Sequence, residues 1–214
     1  AYGAKPNLNK VYIEGITSII AEDIAYADRL GYKIKLFCIA NLDNNRLDFR
    51  VHPSLCLSNS ISAGIGGALN AIFIEGDYSK NVTFIGEGAG AKPTASSVVS
   101  DIINAARNHK SKQNLTSFKQ NRDYKDITSR KGKYYIRFIV KDVGGVLASI
   151  TSVLNNNNIS LDSVVQDSNK GKELNYIIIL THDSNELDIN NAINNLDNID
   201  TIIRKPFIIR VENI

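Results

Sequence analysis

Residues 133–214 read as strand, helix, strand, strand, helix, strand, and few folds accept that order. A strand at 134–140 precedes a helix at about 145–156. Strands at 159–166 and 174–181 flank a turn at Asn169-Lys170-Gly171-Lys172, and a helix at about 185–197 leads to a last strand at about 202–211. Right-handed βαβ crossovers make this a ferredoxin-like βαββαβ domain, a four-stranded antiparallel sheet with two helices on one face. The other face of so small a sheet needs a cover, and a second copy of the chain is the expected one.

Residues 1–109 have a different grammar, so the whole chain is α/β in the α+β sense: a mixed sheet followed by the ferredoxin-like domain. Ile16, Ile19, Ile20, Ile24, Ala27 and Leu30 recur at helical spacing, which predicts an amphipathic helix over about 18–30 with Gly31 as its C′ residue. The spacing then predicts a strand at 33–40, a turn at 41–45, a returning strand at 46–52 and a serine-rich loop holding Pro53. Strands at about 70–76 and 81–86 are joined by Gly76-Asp77-Tyr78-Ser79. Gly86-Glu87-Gly88-Ala89-Gly90 leads through Pro93, a suitable first helical residue, into a helix at about 94–108.

Between these halves, residues 110–132 form a basic, polar connector with Lys110, Lys112, Lys119, Arg122, Lys125, Arg130 and Lys131. The resulting division is 1–109, 110–132 and 133–214. The net charge of +3 is too mild for the basic footprint of a nucleic-acid binder. No apolar run approaches eighteen residues, so no membrane span is expected. No charged-then-apolar leader is present. The chain starts at Ala1 and contains no Met, which reads as a natural amino terminus lying further upstream. Cys38 and Cys56 have no His or Cys at metal-ligand spacing and read as two buried, reduced thiols of a cytoplasmic protein.

No Ser/His/Asp order, metal-ligand cluster or P-loop is present. The Gly86–Gly90 string can bring backbone close to a cofactor, or it can be a tight turn with a well-made helix start. It is not the dinucleotide fingerprint G-x-G-x-x-G. His52 precedes a proline and should be extended; without a paired acid or nucleophile it reads as structural. Lys35 alternates with Lys33 and reads as a solvent-facing strand lysine.

Several strings together resemble homoserine dehydrogenases. They are Glu14-Gly15-Ile16, the run from Ala25 to Leu36, Arg50-Val51-His52-Pro53, Asn70-Ala71-Ile72-Phe73 and Gly76-Asp77. The longest is Gly86-x-Gly88-Ala89-Gly90-x-x-Pro93-Thr94-Ala95-Ser96-x-Val98-Val99-x-Asp101. A carboxy-terminal ACT domain, the regulatory module that the βαββαβ order describes, is typical of many members. The resemblance implies NAD(P)-dependent interconversion of L-aspartate 4-semialdehyde and L-homoserine. It also implies that the cofactor domain, the catalytic lysine and the substrate-binding acids lie before this chain begins, leaving no catalytic residue within it. It places Gly88 beside the nicotinamide cofactor, with Glu87, Ala89 and Thr94 as weaker neighbours.

ACT domains resemble one another in binding amino-acid effectors where the first strand meets the first helix, often at a dimer interface. Here that loop holds Asp142, Gly144, Gly145, Val146 and Leu147, and the implied effector is L-threonine. Asp142 either pairs with the effector ammonium or caps the following helix. Gly144 stands where the family pattern has proline, which loosens the loop. A homo-dimer or tetramer is expected, because the strands at 33–40 and 70–76 are too apolar to face water. The competing expectation is a non-catalytic amino-acid-binding or oligomerisation module.

Overall fold

Strict alternation of side chains governs the carboxy-terminal strands, and it places two different apolar rows on the two faces of one sheet. The architecture comes from a computed structural model that describes residues 2–4, 7–109, 122–167, 175–196 and 199–214. The first strand, β1, is Tyr12–Ile13, and helix α1 is Ala21–Arg29. Strands β2 (Tyr32–Asp43) and β3 (Arg46–Leu57) form a long antiparallel hairpin. It turns at Asn44 and Asn45, both at positive φ, as hairpin geometry demands.

A short helix α2 (Ile61–Gly64) precedes a second hairpin, β4 (Leu69–Gly76) with β5 (Lys80–Glu87), and helix α3 (Ala91–Asn108). The remaining elements are β6 (Lys131–Gly132), β7 (Tyr134–Val140), α4 (Val146–Asn156), β8 (Leu161–Asp167), β9 (Asn175–Thr181), β10 (Ser184–Asn185), α5 (Glu186–Leu196) and β11 (Ile202–Val211). The βαββαβ order is therefore present, with strand order β11-β7-β9-β8. The expected turn at 169–172 and the connector residues 110–121 lie outside the described residues.

Chain contacts divide into two compact units. One holds the described residues of 59–109 with the chain ends; the other holds those of 7–58 and 122–213. This differs from a division at 109 and 133, because β3 pairs in parallel with β11 at Arg210↔Ser54 and Val211↔Leu55. Strands β1 to β3 thus join the ferredoxin-like strands in one seven-stranded sheet, while β4 and β5 stand in a separate hairpin. Residues 122–132, expected as loose connector, are also ordered. Leu47 N–H donates to the Asp123 carbonyl and Lys125 N–H to the Leu47 carbonyl, and Arg130 is buried.

On one face, Tyr134, Ile136, Phe138 and Val140 of β7 meet Ile150 and Leu154 of α4 and Ile189, Ile193 and Leu196 of α5. On the other, Tyr135, Ile178, Leu180 and Ile209 meet Tyr26 and Ala27 of α1. The second face is therefore covered, at least in part, by a helix of the same chain, where a second copy had been expected. The buried stripe of α1 is Asp23, Tyr26 and Ala27, whereas Ile16 and Ile24 are exposed. Gly31 does end the helix, at φ 82°.

Other local differences have simple causes. Strand β3 continues through Pro53 instead of breaking there. On the edge away from β2 its pairing passes from β1 at Val51 to β11 at Ser54, so Pro53 falls where no partner on that edge needs its missing N–H. Pro93 is the third residue of α3, not the first, and still within the turn that has no intrahelical acceptor. Cys56 is buried but Cys38 is exposed; both are free thiols. Among the described residues no helix is long and apolar enough to cross a membrane.

Candidate functional site

Strand β7 ends at Val140 and α4 begins at Val146, so a short loop must redirect the chain. Gly145 does this with φ of 86°, a region that side chains with a Cβ rarely adopt. Gly144 lies outside that region and has open space around it. Gly145 is itself the N-cap of α4, and no side chain closes the first turn. Of the two roles open to Asp142, capping is thus not realised. Asp142 stands exposed beside a helix start whose first amides have no intrahelical acceptor.

The loop borders a cleft of about 390 Å³. Asp142, Gly144, Gly145, Val146 and Leu147 form one wall, and Gln166 of β8 with Asn175 and Ile177 of β9 form another. Asn175 is buried and, like Gln166, brings a carboxamide to this wall. A polar amide, a carboxylate and free helix-start amides within one small cleft suit a zwitterion of amino-acid size. Gln166 and Asn175 were missed by sequence reasoning, since a polar residue at a strand end carries no signal before pairing is known.

The glycine turn lies in the other unit. Glu87 ends β5, Gly88 and Ala89 form the turn, and Gly90, at φ 114°, opens α3. Thr94 N–H donates to the Gly90 carbonyl. Gly88, Glu87, Ala89 and Thr94 are all exposed. Gly88 lies close to Asn70: an added Cβ would overlap the carboxamide of that exposed side chain, which would have to move. The Gly88 N–H is already committed to the Ala68 carbonyl at 2.9 Å. The Gly88 amide is therefore not available as a donor to a dinucleotide. Among the described residues no group of His, Cys, Asp or Glu could hold a metal.

A third constellation was not foreseen. Arg210 of β11, 5% exposed, donates from Nε to Glu186 Oε2 at 3.0 Å and from Nη2 to Glu186 Oε1. Its Nη1 donates to Glu14 Oε2 at 2.6 Å and its Nη2 to Tyr12 Oη at 2.8 Å. Burial opposes the charge of Arg210, but the Glu186 carboxylate outweighs it and holds the guanidinium protonated. Nearby, Glu212 accepts from Arg50 and Arg130. His52, fully buried, lies 2.9 Å from Ser54 Oγ through Nδ1 and 3.8 Å from Glu212 through Nε2. Burial, then the Arg210 charge, pushes its pKa down to about 4, so it is neutral and structural at pH 7. The available clue was an arginine inside the apolar run Ile208-Ile209-Arg210-Val211.

With this geometry in view, residues 1–103 match the family model described as homoserine dehydrogenase, and residues 134–201 match the ACT domain model. The chain is 37% identical to a homoserine dehydrogenase of Helicobacter pylori over 100% of its own length and 51% of that protein. It is 33% identical to one of Pseudomonas aeruginosa, again over 100% and 51%. The crystal structure of a homoserine dehydrogenase from Thiobacillus denitrificans superposes with a TM-score of 0.84 at 34% identity, covering 99% of this chain and 49% of that one. The chain thus spans about half the length of the relatives it matches.

Proposed function

Because the chain belongs to the homoserine dehydrogenase family and corresponds to its carboxy-terminal half with an ACT domain, we propose that it is the regulatory and assembly portion of such an enzyme, binding L-threonine at 142–147. The complete enzyme would interconvert L-aspartate 4-semialdehyde and L-homoserine with NAD(P) in amino-acid biosynthesis in the cytoplasm. Gly88, with Glu87, Ala89 and Thr94, would border the nicotinamide of a cofactor held by a separate nucleotide domain. No step of hydride transfer is assigned to residues of this chain, whose own part is to bind, position and assemble.

The observation that carries the reading is the cleft beside the uncapped start of α4. An effector carboxylate fits the free amides, Asp142 suits its ammonium, and Asn175 suits a hydroxyl. Strand β8, which lines the cleft through Gln166, is the terminal strand of the sheet. A second copy pairing along β8 would seat residues beside the cleft, which supports a dimer or tetramer.

Calorimetric titration of L-threonine into the chain tests the proposal. Saturable heat that disappears in Asp142→Ala, with circular dichroism unchanged, is expected. Absence of heat and of any thermal shift at millimolar threonine would leave the domain as an assembly element. The chain alone should show no homoserine-dependent reduction of NAD or NADP above a blank.

A further inference from the structure

Arg210 lies beyond the ACT-matching residues, yet its one guanidinium bonds both family segments. Glu14 falls within the homoserine dehydrogenase match and Glu186 within the ACT match. Each carboxylate is also tied into its own element. Glu14 N–H donates to the Val51 carbonyl at 2.8 Å, and Tyr12 Oη donates to Glu14 Oε2. Glu186 is the first residue of α5; its N–H donates to the Arg130 carbonyl at 2.8 Å, and its Oε2 accepts from Tyr134 Oη. Strand β1 has only two residues and pairs only with β3 at Arg50 and Val51, so backbone pairing alone holds it weakly.

We propose that Arg210 is a positioning residue that couples the ACT domain to the segment 12–14, so that a displacement of the first turn of α5 is delivered to Glu14 and the reverse. Arg210 pairs across the sheet with Tyr134, and Ile202 with Val140. The Arg210 ion pairs therefore sit at one end of the β7–β11 pair and the effector loop at the other, about 20 Å away at 3.4 Å per residue. The β7–β11 pairing joins them, continuous in register from Arg210 to Phe207 and shifted between Phe207 and Ile202. Among the described residues the guanidinium alone is recorded as bonding both carboxylates, and its fork geometry fixes the angle as well as the distance between them. The proposal concerns linkage within the chain and stands whether or not threonine is the effector.

The test is amide hydrogen exchange by NMR on the whole chain. Glu14→Gln is the mild variant, because the Glu14 side chain is 27% exposed and keeps its hydrogen-bonding shape. Reciprocity requires that this change in the 12–14 segment speed exchange at the Glu186 amide at least fivefold. The amides of Ile177 to Leu180 should stay within twofold and serve as the control. Glu186→Gln should likewise speed exchange at the Glu14 amide, and Arg210→Lys, which keeps charge but loses the fork, should do both. An unchanged Glu186 amide in Glu14→Gln would overturn the proposal. So would equal acceleration everywhere, control amides included, since that is general destabilisation. If Glu186→Gln unfolds the sheet, Glu14→Gln alone decides.

Discussion

Tyr135 Oη donates to Asp23 Oδ1 at 2.9 Å, and this bond helps to tie α1 to the face of the ACT sheet that faces away from α4 and α5. Asp23 is fully buried, and its Oδ2 accepts from Arg137 Nη1 at 3.0 Å and from the Ile20 N–H. Burial raises the Asp23 pKa above the carboxylate range while the Ile20 bond and Arg137 pull it back. Removing one member strands the other. Asp23→Ala should cost about 3–5 kcal/mol, and Tyr135→Phe about 1 kcal/mol. Urea denaturation of the two variants measures both, and a loss below about 1 kcal/mol for Asp23→Ala would show that α1 is not anchored there.

His52 sets a pH dependence. Its pKa is about 4 when folded against 6.5 in the free side chain. The unfolded chain therefore binds more protons between those values, and stability rises with pH across that window. The contribution is complete above pH 6.5 and drains away as pH falls toward 4. A shift of this size corresponds to about 3 kcal/mol. His52→Gln should flatten the stability profile between pH 6.5 and 4, measured by urea midpoints at several pH values. Equal slopes in both proteins would mean that folding does not lower the pKa of this histidine.

The two glycines of the effector loop should respond in opposite directions. Gly144 has open space and an ordinary φ, so Gly144→Ala should stabilise by about 0.5–1 kcal/mol through loss of unfolded-state freedom. Gly145, at φ 86°, should lose about 1 kcal/mol on conversion to alanine. Thermal melts of the pair check the contrast, and matching signs would mean the loop does not hold this backbone.

At the glycine turn, Gly88→Ala forces the new methyl into Asn70. The single variant should lose protection of β4 and β5 amides in hydrogen exchange. Adding Asn70→Ala should restore most of it, because the obstacle is then gone. Persistent loss in the double variant would place the need for glycine in the backbone itself. In a full-length relative, restored folding without restored cofactor affinity would point to the nicotinamide as the group that glycine admits.

The ferredoxin-like order was legible because each of its elements carries its own period: alternating residues in 134–140 and a helical stripe in Val146, Ile150 and Leu154. The position of the loop 142–147 followed from that order, and its effector role from the resemblance to ACT domains. What escaped were facts that depend on pairing between distant segments. Nothing near Ser54 announces that it will lie beside Arg210, so the pairing of β3 with β11 across the composition break at 110 was not foreseen. For α1, the apolar stripe through Ile16 and Ile24 was misleading, because the buried side is chosen by a carboxylate whose partners are more than a hundred residues away. Pro53 misled for the same reason, since its tolerance depends on which edge has a neighbour.

Arg210 stands between Ile209 and Val211, both of which belong to the apolar layer under α1. A slip of β11 by one position would exchange these faces, driving a guanidinium into that layer and leaving Glu186 and Glu14 without a counter-charge. Apolar residues such as Ile208 and Ile209 are nearly interchangeable across such an error, and hydrophobic burial alone would punish it weakly. The arginine makes the misaligned sheet far worse than the correct one. Its contribution to folding fidelity therefore lies less in the energy it adds to the native state than in the near-native alternative it forbids.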